Sequence, residues 1–98
     1  MTAPEPVQRS YPCRSDSVQA RRVGADTLVL HMLLKQYHVL NHVAGRIWEL
    51  ADGSRSDDEI AAALAEEFAI DGASARQDVA STLEALAALR VIELRPAP

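Results

Sequence analysis

Three histidines, one cysteine and a run of three carboxylates are the side chains in this 98-residue chain whose chemistry calls for explanation. A metal site needs ligands converging from one helical face or from neighbouring strands. His31 and His38 fall on different strands and His42 opens a helix, so their spacing gives no metal site. Cys13 stands alone between Pro12 and Arg14. It has no partner for a disulfide or a cysteine cage, and no base is fixed beside it to make it a nucleophile. Asp57, Asp58 and Glu59 look like an acid–base set, but their place at the start of a helix accounts for them as charges facing the positive end of its dipole. Trp48 reads as packing rather than as a platform for a ligand. Four glycines in all make no phosphate loop. Catalysis requires a positioned constellation. The expectation is a protein that is not an enzyme and takes no metal or cofactor.

The elements that would position any site follow from periodicity. Residues 1–15 contain Pro4, Pro6 and Pro12 among polar neighbours and read as a flexible N-terminal arm. Val18 and Ala20 alternate with Gln19 and Arg21, and Gly24-Ala25-Asp26 marks a turn. Thr27 to Leu33 is apolar on both faces, which predicts a strand covered on both sides. After a turn near Leu34-Lys35, Gln36 to Leu40 makes a third strand. From Asn41 the period becomes helical. Asn41 caps a helix over 42–51, with Val43, Ile47, Leu50 and Ala51 on one stripe. Ser56 with Glu59 forms a capping box for a helix over 57–68 that buries Ile60, Leu64 and Phe68. Ser74 with Gln77 predicts the start of a third helix over 75–89, with Val79, Leu83 and Leu86 in line. Val91, Ile92 and Leu94 close a domain over 16–94, and 95–98 form a tail. Three antiparallel strands followed by three helices make a small α+β domain.

Charge and composition narrow the function classes. The first 24 residues carry four arginines against two acids, which leaves −6 on the rest of a chain of net charge −4. An acidic body argues against phosphate backbones, whose affinity comes from clustered Lys and Arg. No stretch approaches the roughly 20 apolar residues of a membrane span. The N-terminus lacks the pattern of a secretory signal, so a cytoplasmic location is expected. What remains is a surface for another chain. A three-stranded sheet has free edges, and an edge accepts an extended peptide as an added strand. If the third helix packs beside the third strand, the gap between them is a groove. Its candidate lining is Tyr37, His38, Val39 and Leu40 on the strand, with Arg76, Val79, Leu83 and Leu86 on the helix. The same helical spacing also fits a plain core stripe. The rival reading is a winged-helix DNA-binding regulator, but the third helix offers Arg76 and Arg90 against Asp78 and Glu84, a poor set for bases.

Leu40-Asn41, Ile47-Trp48, Glu49-Leu50, Asp52-Gly53, Glu59-Ile60-Ala61, Leu64-Ala65, Phe68, Asp78-Val79, Leu83 and Leu86, in that order, resemble the PqqD family across about residues 16–94. The resemblance implies a compact winged-helix-like fold that serves as a peptide recognition element. Such domains hold the leader of a ribosomally made, post-translationally modified peptide and present it to separate enzymes. The leader pairs with the edge of the third strand and rests against the third helix. Leu40-Asn41 and Ile47-Trp48 are similar to the stand-alone proteins of lasso-peptide pathways, whose partners are a leader peptidase and a cyclase. A radical SAM enzyme is the partner in other branches. Two features depart from the family. Arg90 stands where the third helix commonly ends in glycine, and the hairpin before the third strand lacks the usual turn residues.

Overall fold

The computed structural model describes residues 10–96. Residues 1–9 of the expected arm and 97–98 of the expected tail lie outside the described residues. The element order is β1 (Ser10–Arg14), β2 (Val18–Val23), β3 (Asp26–His31), β4 (Gln36–Leu40), α1 (His42–Leu50), α2 (Asp57–Phe68), α3 (Gly72–Ala88) and β5 (Ile92–Pro96). Strands β2-β3-β4 form an antiparallel sheet, and β4 is the third strand of the sequence reading. The expected order of three such strands and then three helices is present, and the architecture is α+β.

Two turns set the register of this sheet. Gly24 at φ 64 opens a two-residue connection between Val23 and Asp26, the first central position that a type II′ turn reserves for glycine. The β3–β4 hairpin instead uses four residues, 32–35. Lys35 takes the left-handed conformation at φ 54, and the Leu34 N–H donates to His31 Nδ1 at 3.2 Å. A buried histidine thus does the work that a turn residue does elsewhere, which is why the expected turn near Leu34-Lys35 closes without glycine or asparagine.

Strand β3 is not covered on both sides. Thr27, Val29 and His31 are buried, whereas Leu30 is exposed and Leu28 half-exposed. The helices lie on one face only, and the strand ends at His31, so Met32 and Leu33 belong to the hairpin tip. The core joins Val29 and Leu40 of the sheet to Ile47, Trp48 and Leu50 of α1, Ile60 and Leu64 of α2, and Val79, Leu83 and Leu86 of α3.

Helix starts follow local capping. Asn41 caps α1 by accepting from the Ala44 N–H at 2.9 Å, and Ser56 with Glu59 forms the expected box at α2. Helix α3 starts earlier than its sequence signature suggests. Asp71 is the cap, accepting from the Ser74 N–H at 2.8 Å, and this bond holds the Asp71 carboxyl below its usual range. Aspartate at 71 binds the first free N–H groups more strongly than a neutral serine three residues later.

Close packing of α1 on β3 depends on Gly45. A Cβ there would lie 2.7 Å from Thr27 Oγ1 and 3.2 Å from Thr27 Cβ. Alanine at a helical glycine ordinarily adds up to about 1 kcal/mol of stability. Here the clash wins, and Gly45→Ala should lower stability by about 1–3 kcal/mol. Adding Thr27→Ala should restore most of it, as read from urea midpoints. Unchanged stability in the single variant would mean that α1 does not sit this close.

The expectation of a flexible arm through residue 15 fails over residues 10–15, and the tail reading fails at Arg95 and Pro96. Strand β1 pairs antiparallel with β5, from Ser10 opposite Pro96 to Arg14 opposite Ile92. The Gly53 N–H donates to the Pro12 carbonyl at 2.9 Å, and the Arg14 N–H donates to the Ala51 carbonyl, also at 2.9 Å. The Arg14 guanidinium donates to the Glu49 carbonyl and lies 5.4 Å from the Trp48 ring centroid. It therefore satisfies a carbonyl at the end of α1, where cations are favoured. Proline content suggested disorder, but Pro12 tolerates a two-stranded edge and is buried there. Removal of residues 1–13 should lower Tm by more than about 5 °C, because it exposes apolar surface and strips β5 of its partner. A truncated protein that melts with the parent would show that β1 contributes no stability.

Candidate peptide-binding edge and cleft

Hydrogen-bond parity fixes which groups β4 offers. The Met32 N–H donates to the Ser17 carbonyl at 2.8 Å, so that pair is a hydrogen-bonded one. Such pairs alternate along an antiparallel ladder. By register, Leu28 and Leu30 therefore aim their backbone groups at β2, and Thr27, Val29 and His31 aim theirs at β4. Their partners Leu40, His38 and Gln36 point back to β3. Tyr37 and Val39 then hold their N–H and C=O groups toward the open side of β4, where no strand pairs among the described residues. Four main-chain groups stand ready at two residues.

Side-chain direction follows the same alternation. Tyr37 and Val39 project onto the outer face, 69% and 63% exposed, opposite Leu30 and Leu28. His38 turns inward, half-buried. Its Nε2 is buried with no hydrogen-bond partner among the described residues. Leu40 is buried in the core.

The helix half of the expected groove is different from its sequence reading. Val79, Leu83 and Leu86 are 1%, 3% and 2% exposed and belong to the core. They face inward because α3 packs over α1 and α2, which takes the stripe that a ligand would have needed. Arg76 is exposed, in a depression it shares with Asp58, Ala61 and Ala62 of α2, with no residue of β4 among that lining.

A second concavity lies at the other end of α3. A cleft of about 450 Å³ is bordered by Ser15, Asp16 and Ser17, by His31, Leu33 and Leu34 of the β3–β4 hairpin, and by Ala87, Arg90, Ile92 and Glu93. Sequence reasoning missed these residues. The one available signal was Arg90 in the place of a glycine. Helix α3 ends in a full Schellman arrangement: the Arg90 N–H donates to the Ala87 carbonyl at 3.0 Å and the Val91 N–H to the Leu86 carbonyl at 3.2 Å. Arg90 itself is left-handed, at φ 61.

Among the described residues no three His, Cys, Asp or Glu side chains cluster as metal ligands, and no helix is long and apolar enough to cross a membrane. Cys13 is a free thiol on β1, bridged through its backbone to Asp52.

No curated protein matches the chain. Among solved structures, one described as TbiB1 in complex with the TbiA(beta) leader peptide superposes with a TM-score of 0.75 at 28% identity, covering 83% of this chain and 94% of that one. The family model for coenzyme PQQ synthesis protein D (PqqD) matches residues 26–92. That span runs from the start of β3 through the free edge of β4 and the three helices to the first residue of β5, and the chain belongs to the PqqD family.

Proposed function

We propose that this domain binds the leader segment of a ribosomally made precursor peptide as an added strand on β4 and presents it to separate modifying enzymes. The observation that carries the reading is the pair of outward-facing main-chain sets at Tyr37 and Val39, on an edge that ends no other sheet. Family membership and the likeness to a leader-peptide complex support it. The lasso-type pathway is the favoured setting, with a leader peptidase and a cyclase as partners and a radical SAM enzyme as the other choice, in the cytoplasm. The domain itself carries out no chemistry.

Magnitudes set what the edge alone can do. Four main-chain hydrogen bonds at about 1 kcal/mol each give roughly 4 kcal/mol. Micromolar binding needs about 8 kcal/mol, before the ordering cost of the peptide is counted. Side chains must supply the rest. Tyr37 and Val39 flank the added strand on the outer face, while the inner side of the edge carries His38. The DNA-binding reading gains nothing from the fold, because the exposed residues of α3 include Asp78 and Glu84 as well as Arg76.

The test is selection of binders from a displayed library of random 20-residue peptides. Bound peptide should protect the Tyr37 and Val39 amides from hydrogen exchange and leave the already paired His38 amide unchanged. Its mass should stay the same after prolonged incubation. Selected peptides that leave both amides exchanging freely would sink strand addition on β4, and any mass change would overturn the non-enzymatic role.

A further inference from the structure

We infer that, without peptide, two copies of this chain pair edge to edge through β4 about a two-fold axis, and that a bound peptide and a second copy exclude one another. The exclusion rests on the leader reading above, whereas the self-pairing stands on the edge itself.

A free edge is a template for any strand, and proteins guard such edges with charge, proline or cover. Strands β2 and β5 also have an open side among the described residues, and both are guarded. On β2 the ladder parity turns the backbone groups of Val18, Ala20 and Arg22 outward, and Arg21 and Arg22 are both exposed. Two such edges would bring the arginines of both copies together. On β5 the Ser15 N–H donates to the Val91 carbonyl, so Ile92, Leu94 and Pro96 face the open side. Ile92 is buried and Pro96 has no N–H, which leaves Leu94 alone to pair. Strand β4 has no such guard. It contains no Asp, Glu, Lys, Arg or Pro, and its outward-facing Tyr37 and Val39 are largely exposed.

Parity then selects the register. Antiparallel pairing of Tyr37 with Val39 of the second copy uses both outward residues of each chain. It makes four main-chain hydrogen bonds and sets His38 across from its own copy on the axis. Pairing Tyr37 with Tyr37, or Val39 with Val39, would make one complete pair in place of two. The next outward positions are Lys35, left-handed in the hairpin, and Asn41, the cap of α1. In the first register Tyr37 lies beside Val39 of the second copy on the outer face, an aromatic against a β-branched side chain. Leu30 and Leu28 stand directly behind them on β3, so two apolar rows cross the joined sheets.

Size points to exchange rather than to a permanent dimer. One strand edge with its outer-face neighbours falls at or below the roughly 1,200 Å² of weak complexes. A peptide needs the same backbone groups at Tyr37 and Val39, so it must displace the second copy.

Sedimentation equilibrium of the chain from about 10 μM to about 1 mM should show the mean mass rising toward that of two chains. Val39→Pro should stay monomeric throughout. Tyr37→Lys with Val39→Lys sets like charges across the axis and should also stay monomeric. Tyr37→Lys with Val39→Glu sets opposite charges across it and should pair at least as well as the parent. Both double variants change only exposed side chains, so their folding should match the parent's. One peptide selected from the random library should return the parent to single chains, each with one peptide. A parent that stays monomeric while binding selected peptides would overturn self-pairing and leave the leader reading standing. A dimer that survives both Val39→Pro and the double lysine variant would overturn it as well. A dimer lost in those variants, from a chain that selects no peptide, would uphold the pairing and overturn the leader reading together with the exclusion. A peptide that binds the dimer without dissociating it would overturn the exclusion.

Discussion

Val39→Pro should leave the domain folded and weaken peptide binding by more than about tenfold, whereas His38→Pro, one residue earlier, should lower Tm by more than about 10 °C. The two differ only in where the lost N–H points. Proline removes the backbone donor and fixes φ. At Val39 that donor faces the open side of β4, and proline is tolerated on an edge strand when its nitrogen faces outward. The tenfold loss corresponds to about 1.4 kcal/mol, one hydrogen bond plus the bulk of the ring against the incoming strand. At His38 the donor bonds the Val29 carbonyl in the centre of the sheet, and an orphaned buried acceptor costs about 1–3 kcal/mol before packing is lost. For a domain near 100 residues each kcal/mol moves Tm by about 4–8 °C. Thermal melts and fluorescence anisotropy of one labelled peptide on both variants decide the matter. If Val39→Pro binds as the parent does, the peptide adds elsewhere. If His38→Pro melts with the parent, the ladder parity is reversed.

Leu83→Ala should destabilise the fold by about 2–5 kcal/mol while the folded fraction binds peptide within about threefold of the parent. Leu83 is 3% exposed, within the stripe of Val79 and Leu86 that packs against the rest of the core. Truncation removes apolar surface and leaves a cavity that the surrounding helices fill only in part. A ligand touches none of this. Chemical denaturation gives the first quantity and anisotropy under folding conditions the second. A stability loss below about 1 kcal/mol with weakened binding would return α3 to the groove and contradict its place in the core.

Much of the fold was legible because it is set locally. The spacing of Val43, Ile47 and Leu50 gives a helix whatever lies around it, and Asn41 and Ser56 with Glu59 mark starts through bonds made within four residues. Asp71 was overlooked because Ser74 and Gln77 offer the same signature three residues on, and only competition for the free N–H groups separates them. The order of the three strands and three helices and the resemblance to the PqqD family rest on such local signals.

Other features depend on contacts between distant residues. Strand β1 was read as an arm because its proline-rich sequence has no periodicity, and only its pairing with β5, some eighty residues on, gives it a partner. Strand β3 has apolar residues on both faces, so the sequence could not tell that helices cover one face alone. The stripe Val79, Leu83 and Leu86 fits core and groove equally well, because a helix presents the same spacing to a neighbouring helix or to a ligand. Tertiary packing made it core, and the concavities beside α3 lie at its two ends, by Arg76 and by Arg90 with His31. The sequence by itself determined the three helices, the three strands of the larger sheet and that this sheet has a free edge, since those follow from patterns along the chain. Which side of each segment meets solvent was decided only by tertiary structure, because burial depends on what lies opposite.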